Sequence, residues 1–346
     1  MGFLRRQIDA VFERGTVHAP ERELGLGERW RQLRRHGDFS LAYSVVAEPY
    51  LKSFGDERGF IAYAQNMGYT FALGDPLCGP ADAEALIDEF VATFKNPCFV
   101  ACNEATSALL ARRGYRINHF GHDTAIDLPG HTFSGGDGKK IRYTTSWLKT
   151  SNMRVEERPL GDFPTERIEF MSRRWRETRV VRREVRFLNR LFSAGPATDV
   201  RRFFALTAED EPVAFISFDP VYRDEKIIGY LASQKRRDPE GSSYLDLGIM
   251  RHAIDQFKAE ELEVVYLGLS PLAGVEAGPF RDDPILRRLS RHAYGSGWIN
   301  RRIFNVQGIA TYKKRFRGRE IPAFIATPPG TNLLRMIALL RLMRLI

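Results

Sequence analysis

The order of secondary elements constrains this chain most, because it runs through twice. Apolar runs punctuated by Gly, Pro and Asp predict strands over 41–47, 59–65 and 69–73. A helix over 81–94, a strand over 98–102 and a helix over 104–113 follow. The second half repeats this grammar, with strands over 202–207, 213–219 and 226–231, a helix over 244–260, a strand over 264–269 and a helix near 285–292. The repeat is one of element order, not of residues. It predicts two copies of one mixed α/β unit with short, partly antiparallel strands. Strands over 115–119 and 124–128 close the first copy, and the Gly-rich stretch 129–138 is a loop. A helix over 139–150, an extended piece over 155–158 and a helix over 164–174 lead into the second. The expected organisation is helices over 1–36, a first α/β unit over 37–135, a second and catalytic unit over 136–330, and a terminal helix over 331–346.

A length of 346 residues suffices for two ordinary domains. The net charge of +9 favours an anionic partner. The excess is concentrated: residues 284–319 hold ten Lys or Arg and no Asp or Glu. Like charges repel, so such a block points to bound anions. Within it, the turn-prone Asn305-Val-Gln-Gly308 leads into a short amphipathic run. Ile309, Tyr312 and Phe316 form its apolar side, and Lys313, Lys314 and Arg317 its polar side. A second cluster, 173–190, carries eight Arg against Glu177 and Glu184; it reads as a solvated helical face or as a wall of an anion-binding cleft.

Other features narrow the function classes. Cys78, Cys98 and Cys102 make no disulfide framework, and a strand over 98–102 puts the last two thiols on one face. The compartment is expected to be reducing. The N-terminus has no signal-peptide core, and no apolar run is long enough to span a bilayer. His119 and His122 flank an expected turn without a third ligand, so no metal is expected. Neither a Walker loop nor Gly-x-Gly-x-x-Gly occurs, and no cofactor is expected. The segment 331–346 has three Arg and no acid, and as a helix spans only about 24 Å. It suits an anionic membrane surface or docking on the body.

Four segments have the chemistry of a cleft. Gly74-Asp75-Pro76 and Asp219-Pro220 each end an apolar strand, where Asp75 either caps a turn or lines a site. Asp246 opens a helix, as a cap or as a functional acid. Arg251 follows five residues later, too far round that helix to pair with it. Val265 to Gly274 is an apolar strand running into a small-residue turn, the place where α/β proteins bind ligands. Its Ser270 has no His or acid partner in sequence to make it a nucleophile.

Gly74-Asp-Pro76, Gly138-Lys-Lys-Ile-Arg142, Tyr244-Leu-Asp246, Leu267-Gly-Leu-Ser-Pro-Leu-Ala-Gly274 and Asn305 to Phe316 occur in one order. In this the chain resembles the catalytic domain of lysyl- and alanyl-phosphatidylglycerol synthases, the multiple peptide resistance factors, over roughly 40–327. The resemblance implies tandem acetyltransferase-like (GNAT) domains, in agreement with the duplicated α/β order. It implies aminoacyl transfer from aminoacyl-tRNA to an anionic phospholipid such as phosphatidylglycerol. The protein would be cytoplasmic and peripheral on the inner face of the cell membrane. Asp246 or Asp219 would then act as base, and Lys313 or Arg251 would hold the oxyanion or lipid phosphate. Asp75, Ser270, Asn305, Gln307, Lys314, Arg317 and Arg319 would bind substrate. The chain departs from the family pattern in Gly121-His122-Asp123 and in a shortened tail after Phe316, and it is expected to be a stand-alone relative without the usual transmembrane flippase. The alternative on the same scaffold is an N- or O-acyltransferase using a CoA or carrier thioester on a lipid or amine.

Overall fold

The computed structural model describes residue 11 and residues 16–346 except 137, 196 and 331. Of the helices expected over 1–36, the part before residue 16 lies almost entirely outside these residues. The first half contains α1 (Leu26–His36), α2 (Ala42–Ala47), β1 (Lys52–Asp56), β2 (Gly59–Asn66), β3 (Tyr69–Leu73) and β4 (Leu77–Cys78). It continues through α3 (Ala83–Thr93), β5 (Cys98–Cys102), α4 (Glu104–Arg112) and β6 (Arg116–Asp127). The second contains α5 (Lys139–Thr150), β7 (Arg154–Glu157), α6 (Thr165–Glu177), β8 (Arg201–Leu206), β9 (Pro212–Arg223) and β10 (Lys226–Arg237). Then come α7 (Tyr244–Ala259), β11 (Val264–Pro271), α8 (Pro284–Gly295), α9 (Gly297–Arg302), α10 (Val306–Lys314), β12 (Arg319–Thr327) and α11 (Leu333–Leu342).

One sheet carries all these strands, in the order β1-β2-β3-β5-β12-β6-β11-β10-β9-β8-β7, with β4 against β2. Antiparallel pairing prevails; β3–β5 and β10–β11 are parallel, and the helices α3 and α7 make the crossovers that parallel neighbours require. The halves exchange their last strands. β12, from the second half, lies between β5 and β6, while β6, from the first, pairs with β11. The expected fold class, mixed α/β with a duplicated order of elements, is the one observed. Apolar side chains fill both faces: α5 and α7 cover β8–β11, α3 covers β2 and β5, and α1, α2 and α11 cover the other face of the first half.

Several local expectations need correction. Residues 42–47 are a helix, not a strand; all of 42–46 are buried, and an apolar run without alternation does not distinguish the two. β1 was missed because Ser53, Gly55 and Asp56 dilute its apolar pattern; it pairs with β2 across a tight turn. Residues 116–127 form one strand, so His119 and His122 do not flank a turn. Gly121 allows this continuity at φ 135°, where an added Cβ would lie 2.2 Å from the Ser270 carbonyl oxygen. The Cys98 and Cys102 thiols lie on opposite faces. Ala101, at φ 62°, is an extra residue opposite the Phe324–Ile325 step and reverses the alternation. Cys98 therefore packs with Phe71 and Cys102 with Leu110. The C-terminal helix α11 docks on the body through Ala338, Leu339 and Leu342, with Arg335 buried over the Tyr69 ring. Leu333, Leu334, Ile337 and Leu340 remain exposed on its outer face. No helix among the described residues is long and apolar enough to cross a membrane.

Candidate active site

The site begins where β10 and β11 part. Their parallel pairing spans only Gly229↔Val264, Tyr230↔Val265 and Leu231↔Tyr266. Beyond it, β10 keeps its partner β9 out to Arg237↔Ala214, and β11 keeps β6 out to Pro271↔Gly121. The facing edges thus lose their ladder and open a wedge. A bulge in β11 between Tyr266 and Gly268, with Gly268 at φ 80°, sharpens the divergence. Backbone carbonyls freed this way need donors if they are buried.

Lys313 supplies them. Asn305 caps α10 by accepting from the Gly308 N–H at 2.8 Å, and Phe316 anchors the chain just beyond the helix in the core. That fixes the last turn over the wedge. Lys313 Nζ donates to the carbonyls of Gly268 at 2.5 Å and Leu269 at 2.6 Å, and the residue is only 7% exposed. Burial pulls its pKa from 10.5 down to about 7, with Lys235 adding repulsion and Asp123 opposing. Lys235 stands on the opposite edge, on β10. Its Nζ sits 4.1 Å over the Tyr312 ring, and burial brings its pKa down to about 8. The wedge thus holds two ammonium groups that release protons near neutrality.

Acids and orphan hydroxyls complete the wall. Asp246, in the first turn of α7, has Arg237 Nε 4.0 Å from its carboxylate and otherwise accepts no hydrogen bond among the described residues. It therefore does not cap the helix. Burial raises its pKa, while Arg237, Lys235 and Arg179 oppose. Asp123 on β6 faces Lys313 electrostatically and accepts from the Thr124 N–H at 2.7 Å; burial raises its pKa too. His122, beside Asp123, lies 3.3 Å from Glu320, and burial lowers its pKa. The Tyr312 and Ser270 hydroxyls are buried without a hydrogen-bond partner among the described residues.

The other sequence candidates fall elsewhere. Asp219 is fully buried, and Arg190 donates to both its oxygens at 2.7 and 2.9 Å, an ion pair closed inside the core. Asp75 accepts from the Asn103 N–H at 2.9 Å and from Thr106; burial raises its pKa to about 6. It holds the start of α4 and does not touch the Lys313 group. Arg251 binds Asp255 and the Arg142 carbonyl. Gln307 ties α10 to the Tyr294 carbonyl. Arg317 donates to the Ser134 carbonyl, Arg319 pairs with Asp127, and Lys314 is exposed. The arginine-rich segment divides. Arg190 is a core partner, Arg176 pairs with Glu184, and Arg179 stacks on Trp175 at 4.2 Å within the field of Asp246. Sequence reasoning missed Lys235, Arg237 and Asp123. The run Gln234-Lys-Arg-Arg237 at the end of an apolar strand was the signal for the first two.

Comparison with known proteins agrees with this architecture. The profile of the family described as phosphatidylglycerol lysyltransferase, C-terminal, matches residues 30–327. No curated protein matches the chain. The structure of L-PGS from Bacillus licheniformis superposes with a TM-score of 0.74 at 18% identity, covering 93% of this chain and 98% of that one. The C-terminal domain of a putative lysylphosphatidylglycerol synthetase from Agrobacterium fabrum gives 0.74 at 17% identity, with the same coverage of 93% and 98%. FemX shares the fold more distantly, at a TM-score of 0.53 and 7% identity over 91% of this chain and 98% of its own. The chain belongs to the family of phosphatidylglycerol lysyltransferase C-terminal domains, and thereby to the enzymes that transfer acyl or aminoacyl groups.

Proposed function

We propose that the protein moves an aminoacyl group from aminoacyl-tRNA to a hydroxyl of an anionic phospholipid such as phosphatidylglycerol, working at the cytoplasmic membrane surface. The observation that carries this reading is Lys313, buried in the strand wedge with its nitrogen on two carbonyls and a pKa of about 7. A neutral amine has two N–H groups and one lone pair. When both N–H groups serve Gly268 and Leu269, the lone pair is left for an incoming proton. Burial that brings the pKa down to about 7 makes this free base available near neutral pH, where a general base works best.

The reaction exchanges one ester for another. The lipid hydroxyl oxygen bonds to the aminoacyl carbonyl carbon, and its proton passes to Lys313. The bond from that carbon to the terminal ribose oxygen breaks, and Lys313 returns the proton to the ribose oxygen. Lys235, still largely protonated at pH 7, stabilises the oxyanion. Asp246, which accepts no hydrogen bond among the described residues and meets Arg237 only at 4.0 Å, holds the donor's α-ammonium group. The exposed Lys314 and the basic face around it attract phosphate of the tRNA backbone or lipid headgroups.

The test uses vesicles containing phosphatidylglycerol, purified protein and either radiolabelled aminoacyl-tRNA or radiolabelled acyl-CoA. Label entering the lipid extract from tRNA, and lost on RNase treatment, is the expected result. Labelling from acyl-CoA that survives RNase would overturn the reading in favour of thioester chemistry.

A further inference from the structure

The helices α8 and α9 form a surface that neither the wedge nor the sheet explains. α8 spans twelve residues, yet none of them is buried, and α9 buries only Asn300. Apolar residues nevertheless recur on their outer side: Ile285 is 55% exposed, Leu289 46% and Trp298 62%. Ile285 and Leu289 are one helical turn apart and share a face. Asn300 ties α9 to the end of α8 through the Tyr294 and Ser296 carbonyls, so Trp298 is held on this same structural unit. On the same two helices stand Arg288, Arg291, Arg301 and Arg302, all exposed and without an ion pair among the described residues. After Asp283 no acid occurs until Glu320.

We propose that this α8–α9 unit is the seat of an anionic lipid bilayer. Exposed Trp and aliphatic side chains amid unpaired arginines match a bilayer interface, where the apolar groups enter the headgroup boundary and the cations meet lipid phosphate. Charge complementarity selects this occupant: a second copy of the chain would bring a like-charged surface against it. Nucleic acid would satisfy the arginines but not Ile285 and Leu289. The outer stripe of α11 is apolar as well, but its Arg335 is buried and Arg341 and Arg344 are half-buried, so it lacks a ring of fully exposed cations. α8 is also joined to the reaction centre through α10, which follows α9 and carries Lys313. A bilayer bound here would bring lipid headgroups to the strand wedge. The inference rests on the lipid acceptor proposed above, but its test needs no donor, so the two fail separately.

The experiment measures binding of the full chain to vesicles of phosphatidylcholine with or without 30% phosphatidylglycerol, by Trp emission and co-sedimentation. Trp298 is the exposed member of the four tryptophans; the other three are half-buried. Anionic vesicles should shift its emission to the blue, brominated lipid should quench it, and Trp298→Phe should abolish most of both signals. Leu289→Ser with Trp298→Ser should weaken partitioning about tenfold or more, and Arg288→Glu with Arg301→Glu should remove the preference for phosphatidylglycerol. Ile337→Ser with Leu340→Ser on α11 should leave binding unchanged. Unaltered partitioning of the α8–α9 variants, or loss of binding in the α11 variant alone, would overturn the proposal. So would a concentration-dependent dimer of the wild type that Trp298→Ser dissolves, or a Trp298 response to tRNA without one to vesicles.

Discussion

Replacing Lys313 by Met tests the depressed lysine pKa without an activity assay. Met keeps a long flexible chain in the wedge and removes the titrating nitrogen. In the unfolded chain Lys313 titrates near the ordinary 10.5, and in the native wedge near about 7. Between those values the unfolded protein binds a proton that the native protein does not. Stability therefore rises with pH across that window, by about 1.4 kcal/mol per pH unit and about 5 kcal/mol in all. From pH 7.5 to 9.0 the wild type should gain about 2 kcal/mol over Lys313→Met. Met leaves the Gly268 and Leu269 carbonyls without their donor, but that loss is independent of pH and cancels in the double difference. Urea unfolding of both proteins at the two pH values, followed by Trp fluorescence, gives the quantity. Equal pH-dependence in the two would show that Lys313 stays protonated in the native state, and its assignment as base would be wrong.

Three further outcomes follow from the same geometry. The rate of transfer should rise with pH through about 7 as Lys313 is freed, and fall through about 8 as Lys235 loses its charge. These are values of an interacting pair; Lys235→Met should remove the falling limb, and Lys313→Ala should lower turnover about 10²-fold or more, each read from a pH–rate profile. Asp246→Asn should raise the KM for the aminoacyl donor about tenfold or more, read from initial rates against donor concentration. An unchanged KM would remove Asp246 from donor binding. Asp219→Asn should cost about 3–5 kcal/mol of stability by leaving Arg190 buried without its counter-charge, measured by denaturation. A stable but inactive variant would return Asp219 to the chemistry.

The duplicated element order was legible because Gly and Pro punctuate most strands and the helices are amphipathic. The exchange of β6 and β12 was not, since it is a matter of long-range pairing that no local pattern encodes. The helix pattern singles out Lys313 but puts it on the polar side with Lys314 and Arg317, whereas the structure buries Lys313 and leaves those two exposed. Lys235 was missed because the strand was ended at Leu231, where continuous apolarity stops. The strand runs on because β9 pairs with it through Arg237, while its opposite edge faces the wedge and tolerates charge. Asp219 and Asp246 looked alike as acids at element ends. Only the approach of Arg190, 29 residues away in sequence, makes one structural and leaves the other open. The helix at 42–47 and the reversed Cys102 show the same limit at short range. Burial on all sides erases periodicity, and a single left-handed residue, Ala101, inverts it.

The central claim is that the wedge passes an aminoacyl ester from tRNA to lipid through Lys313. A single-turnover reaction tests it most directly, with charged tRNA labelled in the amino acid, excess enzyme and phosphatidylglycerol vesicles. Label should leave tRNA and appear at the same rate on lipid as a hydroxylamine-labile ester, and Lys313→Ala should slow both together. Label that remains on tRNA, or is released as free amino acid equally fast with and without vesicles, would contradict the account.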